Sequence, residues 1–278
     1  MVNFQLSQFP SQLWTPVYSS DDVTVYKVIQ KPTRRKFALK VIARSCPSCS
    51  REKVRLLFKD PNIVLLHAVF KDDDKAYFLM DFYEFTLEQI LHPDIDYYRA
   101  TKFFIQIFDA IDNLHSQGIA HRDVKASNVL VDENDNALLN DFGLCNVFDT
   151  SKPNALFSST SVSSPLYKSP EVLNAKKNNS SYMARSLDMW SLGVLYYEMV
   201  TGYWPFFPQT LHSDEDALEL ELESLILKRV VDFQCLSSFP HVSTVIQQLL
   251  EYDVDRRLSN WKDIKHSDWM ASQRRLLC

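Results

Sequence analysis

Glycine is scarce in this chain, whose 278 residues include only Gly118, Gly143, Gly193 and Gly202. No Gly-x-Gly-x-x-Gly spacing occurs, which excludes a glycine-rich phosphate-binding loop of that type. Glycines in such loops let the backbone approach a phosphate closely and adopt positive φ angles. Any phosphate-binding function must therefore rest on other residues.

Cysteines are also few, and their number, five, is odd. This predicts reduced thiols in a cytoplasmic or nuclear protein. Cys46 and Cys49 have the spacing of a metal-ligand pair, but no second Cys or His pair completes a zinc site. We therefore interpret that spacing as a coincidence in a loop.

Long hydrophobic runs and basic blocks are missing too. No apolar run approaches about 18 residues, so we expect no membrane span. Residues 1–10 lack the charged and apolar segments of a secretion signal. The net charge of -5 and pI of about 5.8 argue against general nucleic-acid binding. The basic cluster at 31–36 is interpreted as a solvated hairpin tip.

The sequence changes character near residue 83. Before it, β-rich runs around polar turns predict strands, and after it apolar residues at helical spacing predict helices. The predicted strands are 23–30, 36–43, 63–70 and 76–82, and the predicted helices are 50–58, 97–118, 186–202 and 242–253. The acidic-then-apolar segment 215–230 is interpreted as an amphipathic helix, with a partner-docking helix as the alternative.

One segment, 121–144, combines side chains suited to phosphoryl transfer. Asp123 and Asn128 lie five positions apart, and Asp141 directly precedes Phe142 and Gly143. Transfer from ATP needs positioning, charge neutralisation and metal more than covalent chemistry. One carboxylate can orient the attacking hydroxyl and accept its proton, a second can hold Mg²⁺, and an amide can hold a further ion.

In its order and spacing this segment resembles the signature of the eukaryotic protein kinases. The resemblance implies that Asp123 is the catalytic base and that Asn128 and Asp141 are the Mg²⁺ ligands. Lys125 resembles the serine/threonine-kinase lysine that neutralises the γ-phosphate. The implied cofactors are ATP and Mg²⁺, and the implied substrate is a serine or threonine side chain of a protein.

The resemblance extends into the strand-rich part of the chain. Lys40, at the end of Phe-Ala-Leu-Lys, resembles the catalytic lysine that contacts the α- and β-phosphates. Glu52 is its expected carboxylate partner, although the distance from Glu52 to Pro61 is one residue shorter than the common pattern. An exposed helix residue is the alternative interpretation of Glu52.

The resemblance also implies an adenine pocket with apolar faces and a few directional polar groups. Its expected residues are Met80 as gatekeeper, Asp81 and Tyr83 through their backbone groups, and Val25, Ala38 and Leu130 around the ring.

Further resemblances lie downstream. Ser164 stands where kinases carry a threonine that contacts the catalytic Asp and Lys. Glu171 is expected to pair with Arg257, Asp188 to anchor the catalytic-loop backbone, and 264–270 to close the large lobe.

The polar loop around residues 158–163 carries hydroxyls that are candidates for phosphorylation, with Arg122 as the cation that would clamp the phosphate. An unmodified flexible loop is the alternative. The candidate residues are Ser158, Ser159, Thr160, Ser161 and Ser163.

The chain departs from the family pattern ahead of Lys40. Counting back places Tyr18, Ser20 and Val23 where the three loop glycines would fall, and Asp21 and Asp22 would add negative charge near a polyanion. Either the enzyme holds the phosphates through Lys40 and Mg²⁺, or the chain binds nucleotide poorly and acts as a scaffold.

These features together predict an α+β, bilobal protein-kinase-like fold. The small antiparallel β-sheet lobe would span 1–82 and the larger, mainly helical lobe 83–278. The expected activity is ATP-dependent transfer to protein serine or threonine; the alternative is a pseudokinase acting as a scaffold. Expected partners are a protein substrate and an upstream kinase or regulatory subunit, with no nucleic acid and no membrane.

Overall fold

The computed structural model describes residues 4–31, 33–57, 59–91, 95–151, 164–208 and 214–259, and its strands precede most of its helices. The strands are β1 Thr15–Ser19, β2 Val23–Ile29, β3 Lys36–Ala43, β4 Leu66–Lys71, β5 Lys75–Asp81, β6 Phe85–Thr86, β7 Ile119–Ala120, β8 Val129–Val131, β9 Ala137–Leu139 and β10 Asn146–Val147. The α-helices are α1 Pro47–Glu52, α2 Leu87–Ile90, α3 Tyr97–Ser116, α4 Pro170–Asn178, α5 Ala184–Thr201, α6 Glu215–Leu227 and α7 Pro240–Leu249.

The first five strands form one antiparallel sheet in the order β1-β2-β3-β5-β4. Side chains alternate between the two faces of a strand, so β3 sends Phe37 and Leu39 to the outer face and Ala38 and Lys40 to the inner face. Lys40 pairs with Val25 of β2 on one side and with Phe78 of β5 on the other. The site lysine is therefore fixed at the centre of the sheet.

The outer face of this sheet is covered by the N-terminal segment 4–14, which contains two short 3₁₀ helices. Phe9 is almost fully buried, and its ring meets the Phe37 ring edge-on at 5.6 Å. Trp14 packs against Tyr26 at 5.3 Å and donates its indole N–H to the Phe9 carbonyl. This cover leaves the inner face of the sheet for the site.

The helical region is organised around α5, which is buried along nearly its whole length. Phe104 of α3 stacks on Tyr196 of α5 with the ring centroids 4.0 Å apart. A Cβ atom at Gly193 would lie 2.7 Å from the Leu249 Cβ, so α5 and α7 approach as closely as they do only because that position is glycine. The prediction that 186–202 forms a buried helix is confirmed.

The predicted fold is confirmed as a five-stranded antiparallel sheet followed by a mainly helical region. Strand 36–43 is confirmed in its bounds, and the other predicted strands and long helices are shifted at their ends. Among the described residues, no helix combines the length and apolar character needed to span a bilayer. The predictions for 158–163 and 264–270 concern segments outside the described residues.

The predicted short helix 50–58 is confirmed as helical over its described residues, but it begins earlier. The α-helix begins at Pro47, because proline is well suited to the first helical position, and a 3₁₀ helix follows at Lys53–Leu57.

Candidate active site

The loop that carries Asp123 is held by a buried carboxylate of α5. Asp188 accepts hydrogen bonds from the backbone N–H groups of His121, at 2.8 Å, and Arg122, at 2.6 Å. It also contacts His115 Nε2 at 2.8 Å. Arg122 has a φ of 70°, a left-handed conformation that side chains rarely adopt unless surrounding contacts hold it. The predicted anchoring role of Asp188 is confirmed.

Asp123 lies at the centre of a polar cluster. Asn128 Nδ2 donates to Asp123 Oδ2 at 2.7 Å and to the Asp123 carbonyl at 2.8 Å. Lys125 Nζ lies 2.9 Å from the same Oδ2 and 2.9 Å from Ser164 Oγ. The structure thus brings together Asp123, Lys125, Asn128 and Ser164, as the resemblance implies.

A second cluster joins the sheet to the Asp141 turn. The Lys40 ammonium contacts Glu52 Oε1 and lies 2.7 Å from Asp141 Oδ1. Lys40 and Glu52 are buried, which excludes the alternative of an exposed Glu52. Burial disfavours the ammonium, yet the two carboxylates outweigh it and raise the pKa of Lys40.

Asp141 is held as a carboxylate by the same cluster. Burial opposes its ionisation, but Lys40 and the Gly143 backbone N–H, which donates to Oδ1 at 3.0 Å, lower the pKa of Asp141 well below its usual range. The next residue, Phe142, is fully buried, with its ring edge-on to His121 at 4.9 Å. The side chain of Asp141 therefore faces Lys40 while that of Phe142 is fixed in the core.

The two clusters are connected through the backbone between them. The Asn140 N–H donates to the Asn128 carbonyl at 2.8 Å, and His121 Nε2 contacts the Asn140 carbonyl at 2.9 Å. Asn140 directly precedes Asp141, so this hydrogen bond holds the backbone beside Asp141 against the backbone of Asn128. The two predicted metal ligands therefore lie on neighbouring segments of the chain.

The residues expected around adenine lie on or next to the inner face of the sheet. Ala38, Met80, Tyr83 and Leu130 belong to one hydrophobic cluster. Val25 lies outside that cluster but directly opposite Lys40 in the β2–β3 register.

The side chain of Asp81 is engaged elsewhere. His67 Nε2 lies 2.9 Å and Arg35 Nη2 lies 2.6 Å from its Oδ1. Burial opposes its ionisation, but these two partners lower the pKa of Asp81. Both contacts use Oδ1 of the side chain, whereas the prediction assigns the backbone of Asp81 to adenine.

Arg55 is a site residue that the sequence interpretation did not identify. It is buried beside Glu52, with Nη1 3.5 Å from Glu52 Oε2 and 3.2 Å from Asn140 Oδ1. The signal in the sequence was present, since a Glu and an Arg three positions apart are neighbours on one face of a helix.

A β-hairpin takes the place of a glycine-rich loop, with one shift of register between Pro16 and Tyr18. Ser19 pairs with Thr24, and the Ser20 N–H donates to the Val23 carbonyl at 2.8 Å, which leaves Asp21 and Asp22 at an exposed tip. Residues 15–29 are all described, and none of them has a positive φ. This backbone therefore requires no glycine.

Two further contacts tie the segment after Ser164 to the helical region. Arg257 forms a two-pronged ion pair with Glu171, with N–O distances of 2.6 Å and 3.0 Å, as predicted. The Tyr167 hydroxyl donates to Glu198 Oε2 at 2.5 Å and lies 3.4 Å from the Ala126 backbone N–H. The second contact was not predicted.

Comparison with known proteins decides the family. Residues 22–270, most of the chain, match the family described as "Protein kinase domain". The chain belongs to this protein kinase domain family.

Curated kinases are similar to this kinase domain along much of its length. It is 32% identical to CBL-interacting serine/threonine-protein kinase 2 of Arabidopsis thaliana over 223 residues, which are 78% of the chain and 44% of that protein. Serine/threonine-protein kinase MRCK gamma of Homo sapiens is 34% identical over 206 residues, covering 68% of the chain and 13% of that protein.

A third relative, NUAK family SNF1-like kinase 2 of Rattus norvegicus, is 38% identical over 152 residues, covering 52% of the chain and 22% of that protein. The chain thus spans less than half the length of each of these relatives.

Membership of the family implies ATP as the nucleotide, and the donor atoms of the kinase domain also fit Mg²⁺. Mg²⁺ is usually held by one or two protein oxygen ligands together with phosphate oxygens and water. Both side-chain hydrogen bonds of Asn128 use Nδ2, so its amide oxygen remains for a cation. The Asp141 side chain is 42% exposed, and its contacts to Lys40 and Gly143 use Oδ1 only. Among the described residues, no group of three or more His, Cys, Asp or Glu side chains forms a separate metal site.

Proposed function

We propose that this kinase domain transfers the γ-phosphate of ATP to serine or threonine hydroxyls of proteins, with Mg²⁺. The observation that carries the proposal is the pair of linked clusters, one around Asp123 and one around Lys40 and Asp141. The first has the groups needed at an attacking hydroxyl, and the second those needed at the phosphates.

Asp123 is the proposed catalytic base. Its Oδ2 is oriented by Asn128 Nδ2, and it faces Lys125, so a hydroxyl arriving beside it would meet a fixed acceptor. Lys125 would neutralise charge on the transferring phosphoryl group. The contact of Lys125 with Ser164 Oγ supports a serine/threonine substrate, because the resemblance assigns such a lysine and such a hydroxyl to serine/threonine kinases.

Lys40 is the proposed partner of the α- and β-phosphates, with Glu52 holding its ammonium in place. Asn128 and Asp141 are the proposed Mg²⁺ ligands. Bound Mg²⁺ would supply charge neutralisation at the phosphate oxygens. The adenine ring would lie against Val25, Ala38 and Leu130 and the backbone of Asp81 and Tyr83, beside Met80.

The rival function is a scaffold that binds nucleotide poorly, and the observation in its favour is the acidic hairpin tip at Asp21 and Asp22. Transfer of labelled phosphate from Mg-ATP to a generic basic protein separates the two functions. We expect transfer by the wild type and a loss of roughly 10²–10⁴-fold in Asp123→Asn, since a positioned base contributes about that much.

The control for this experiment is the thermal unfolding midpoint of Asp123→Asn, which should stay close to that of the wild type. Equal transfer by the two proteins would identify a contaminating kinase. Absence of transfer by the wild type, together with no stabilisation by Mg-ATP, would favour the scaffold.

The remaining proposals concern boundaries, partners and location. We place the small lobe at 1–82 and the large lobe at 83–278. One of the hydroxyls at 158–163 would be phosphorylated, by an upstream kinase or by this kinase itself, and a regulatory subunit is the alternative partner. The four described cysteines, Cys46, Cys49, Cys145 and Cys235, are free thiols, which supports a cytoplasmic or nuclear location.

A further inference from the structure

Arg55 lies buried where the sheet, the 3₁₀ helix and the Asp141 turn meet. Its Nη2 donates to the Val64 carbonyl, and its Nη1 lies 2.8 Å from Met80 Sδ and 3.2 Å from Asn140 Oδ1. Its guanidinium lies 5.2 Å from the centre of the Phe142 ring. One side chain thus contacts β5, the segment before β4 and both residues that flank Asp141.

A buried guanidinium is costly unless its charge and its donors are matched. Burial lowers the pKa of Arg55, and the Glu52 carboxylate partly offsets that effect. Glu52 is fully buried and is shared between Arg55, through Oε2, and Lys40, through Oε1. Each carboxylate oxygen therefore faces its own cation.

This arrangement balances the local charges. The ammonium of Lys40 and the guanidinium of Arg55 face the carboxylates of Glu52 and Asp141 within one connected set of contacts. Without Arg55, Glu52 Oε2 would be buried with no cation beside it. Its carboxylate would then favour a position nearer to water, which means movement of the short helix that carries it.

We infer that Arg55 is a positioning residue that keeps Glu52 on Lys40 and fixes the helix to the Asp141 turn. The inference rests on the proposed function, in which Lys40 holds the phosphates. It adds to that function a residue that touches no substrate and acts through Glu52. Glu52 ends α1 and Arg55 lies in the 3₁₀ helix that follows, so the two residues are three positions apart and lie on the same side of the helical segment.

The test measures how fast Lys40 is modified by an amine-reactive reagent, by mass spectrometry of its peptide, in the protein without nucleotide. This readout requires no catalysis. Arg55→Leu fills similar space without charge, and Lys53→Leu removes one positive charge from the same helical segment as a matched control. Lys168, which is also buried and is ion-paired with Glu219, serves as an internal reference for the fold.

We expect Lys40 labelling to rise at least about ten-fold in Arg55→Leu, because the local structure around it opens, while Lys168 labelling stays unchanged. Lys53→Leu should match the wild type. Glu52→Gln should raise Lys40 labelling as well, and Arg55→Leu combined with Glu52→Gln should add little further, because residues that act through one another are not additive.

The inference is overturned if Arg55→Leu leaves Lys40 labelling unchanged, or if the effects of Arg55→Leu and Glu52→Gln multiply. If Arg55→Leu also exposes Lys168, Arg55→Met is measured in its place. That variant also removes the charge but has a longer, unbranched side chain, so a rise confined to Lys40 supports the inference and no change overturns it.

The same variants separate this inference from the proposed function. Wild-type protein that transfers no phosphate but shows the predicted labelling pattern would contradict the proposed function and leave Arg55 positioning Lys40. If the wild type transfers phosphate and Lys40 labelling is unchanged in Arg55→Leu, the proposed function stands and Arg55 has no positioning role in it.

Discussion

At the scale of single residues, Glu198 is a buried residue of α5, and burial disfavours the ionised form of its carboxyl group. It is 4% exposed, and its contact is the Tyr167 hydroxyl at 2.5 Å, in the segment that follows Ser164. Burial raises the pKa of Glu198 to about 7, and the Tyr167 hydrogen bond offsets only part of that effect. The carboxyl therefore titrates near neutral pH in the folded protein.

This shift predicts a pH-dependent stability. Between pH 4.5, the ordinary pKa of a glutamate, and about pH 7, the folded state keeps a proton on Glu198 that the unfolded state has lost. The free energy of unfolding therefore falls as the pH rises through this range. At about 1.4 kcal/mol per pKa unit, the loss of unfolding free energy is roughly 3 kcal/mol. Glu198→Gln should remove that part of the pH dependence.

Urea unfolding at pH 4.5 and pH 7.5 measures the effect. The exposed Glu133, changed to Gln, is the matched control and should keep the wild-type pH dependence. Identical pH dependence in wild type and Glu198→Gln would show that Glu198 ionises normally in the fold.

At the scale of elements, the β1–β2 hairpin replaces the glycine-rich loop of the family pattern, and it carries two acids, Asp21 and Asp22, close to where the phosphates of ATP are expected. Asp21 and Asp22 are exposed, so their repulsion of ATP is screened by salt. Asp21→Asn together with Asp22→Asn should tighten Mg-ATP binding by roughly two- to five-fold at low ionic strength, and by less at high ionic strength.

Calorimetric titration at two salt concentrations measures this change. Asp73→Asn, in the exposed β4–β5 turn, is the control for loss of an acid elsewhere on the same sheet. Weaker binding in the hairpin variant would mean that these carboxylates assist the nucleotide.

The N-terminal segment is the second element with a testable role. Phe9 is 2% exposed between the segment and the outer face of the sheet. Phe9→Ala should lower the free energy of unfolding by about 3–5 kcal/mol, as is usual for removing a buried Phe side chain. Chemical denaturation measures the loss, and a change under about 1 kcal/mol would show that the segment is not part of the folding unit.

At the scale of the whole molecule, the features that could be predicted from the sequence are those that depend on motifs of fixed spacing. The order of sheet and helices follows from local patterns, and the resemblance that the Asp123, Asn128 and Asp141 spacing carries implied the anchoring role of Asp188. Contacts between distant segments could not be predicted in this way. The packing of segment 4–14 on the sheet depends on which face is left uncovered, and the contact of Tyr167 with Glu198 depends on how α5 meets the loop.

The position of Arg55 could not be predicted from the local pattern alone. The segment predicts a helix, but helical spacing does not say which distant residues each side chain contacts. Arg55 contacts Met80 and Asn140, which are remote in the sequence.

The central claim is that Lys40, Asp123, Asn128 and Asp141 face one magnesium-bound nucleotide. Calorimetric titration of ATP into wild type and Asp141→Asn, with and without Mg²⁺, tests it most directly. We expect Mg²⁺ to raise the ATP affinity of the wild type by about ten-fold or more, equivalent to about 1.4 kcal/mol, and to have little effect on Asp141→Asn. No binding at millimolar ATP, or equal Mg²⁺ dependence in both proteins, would contradict the claim.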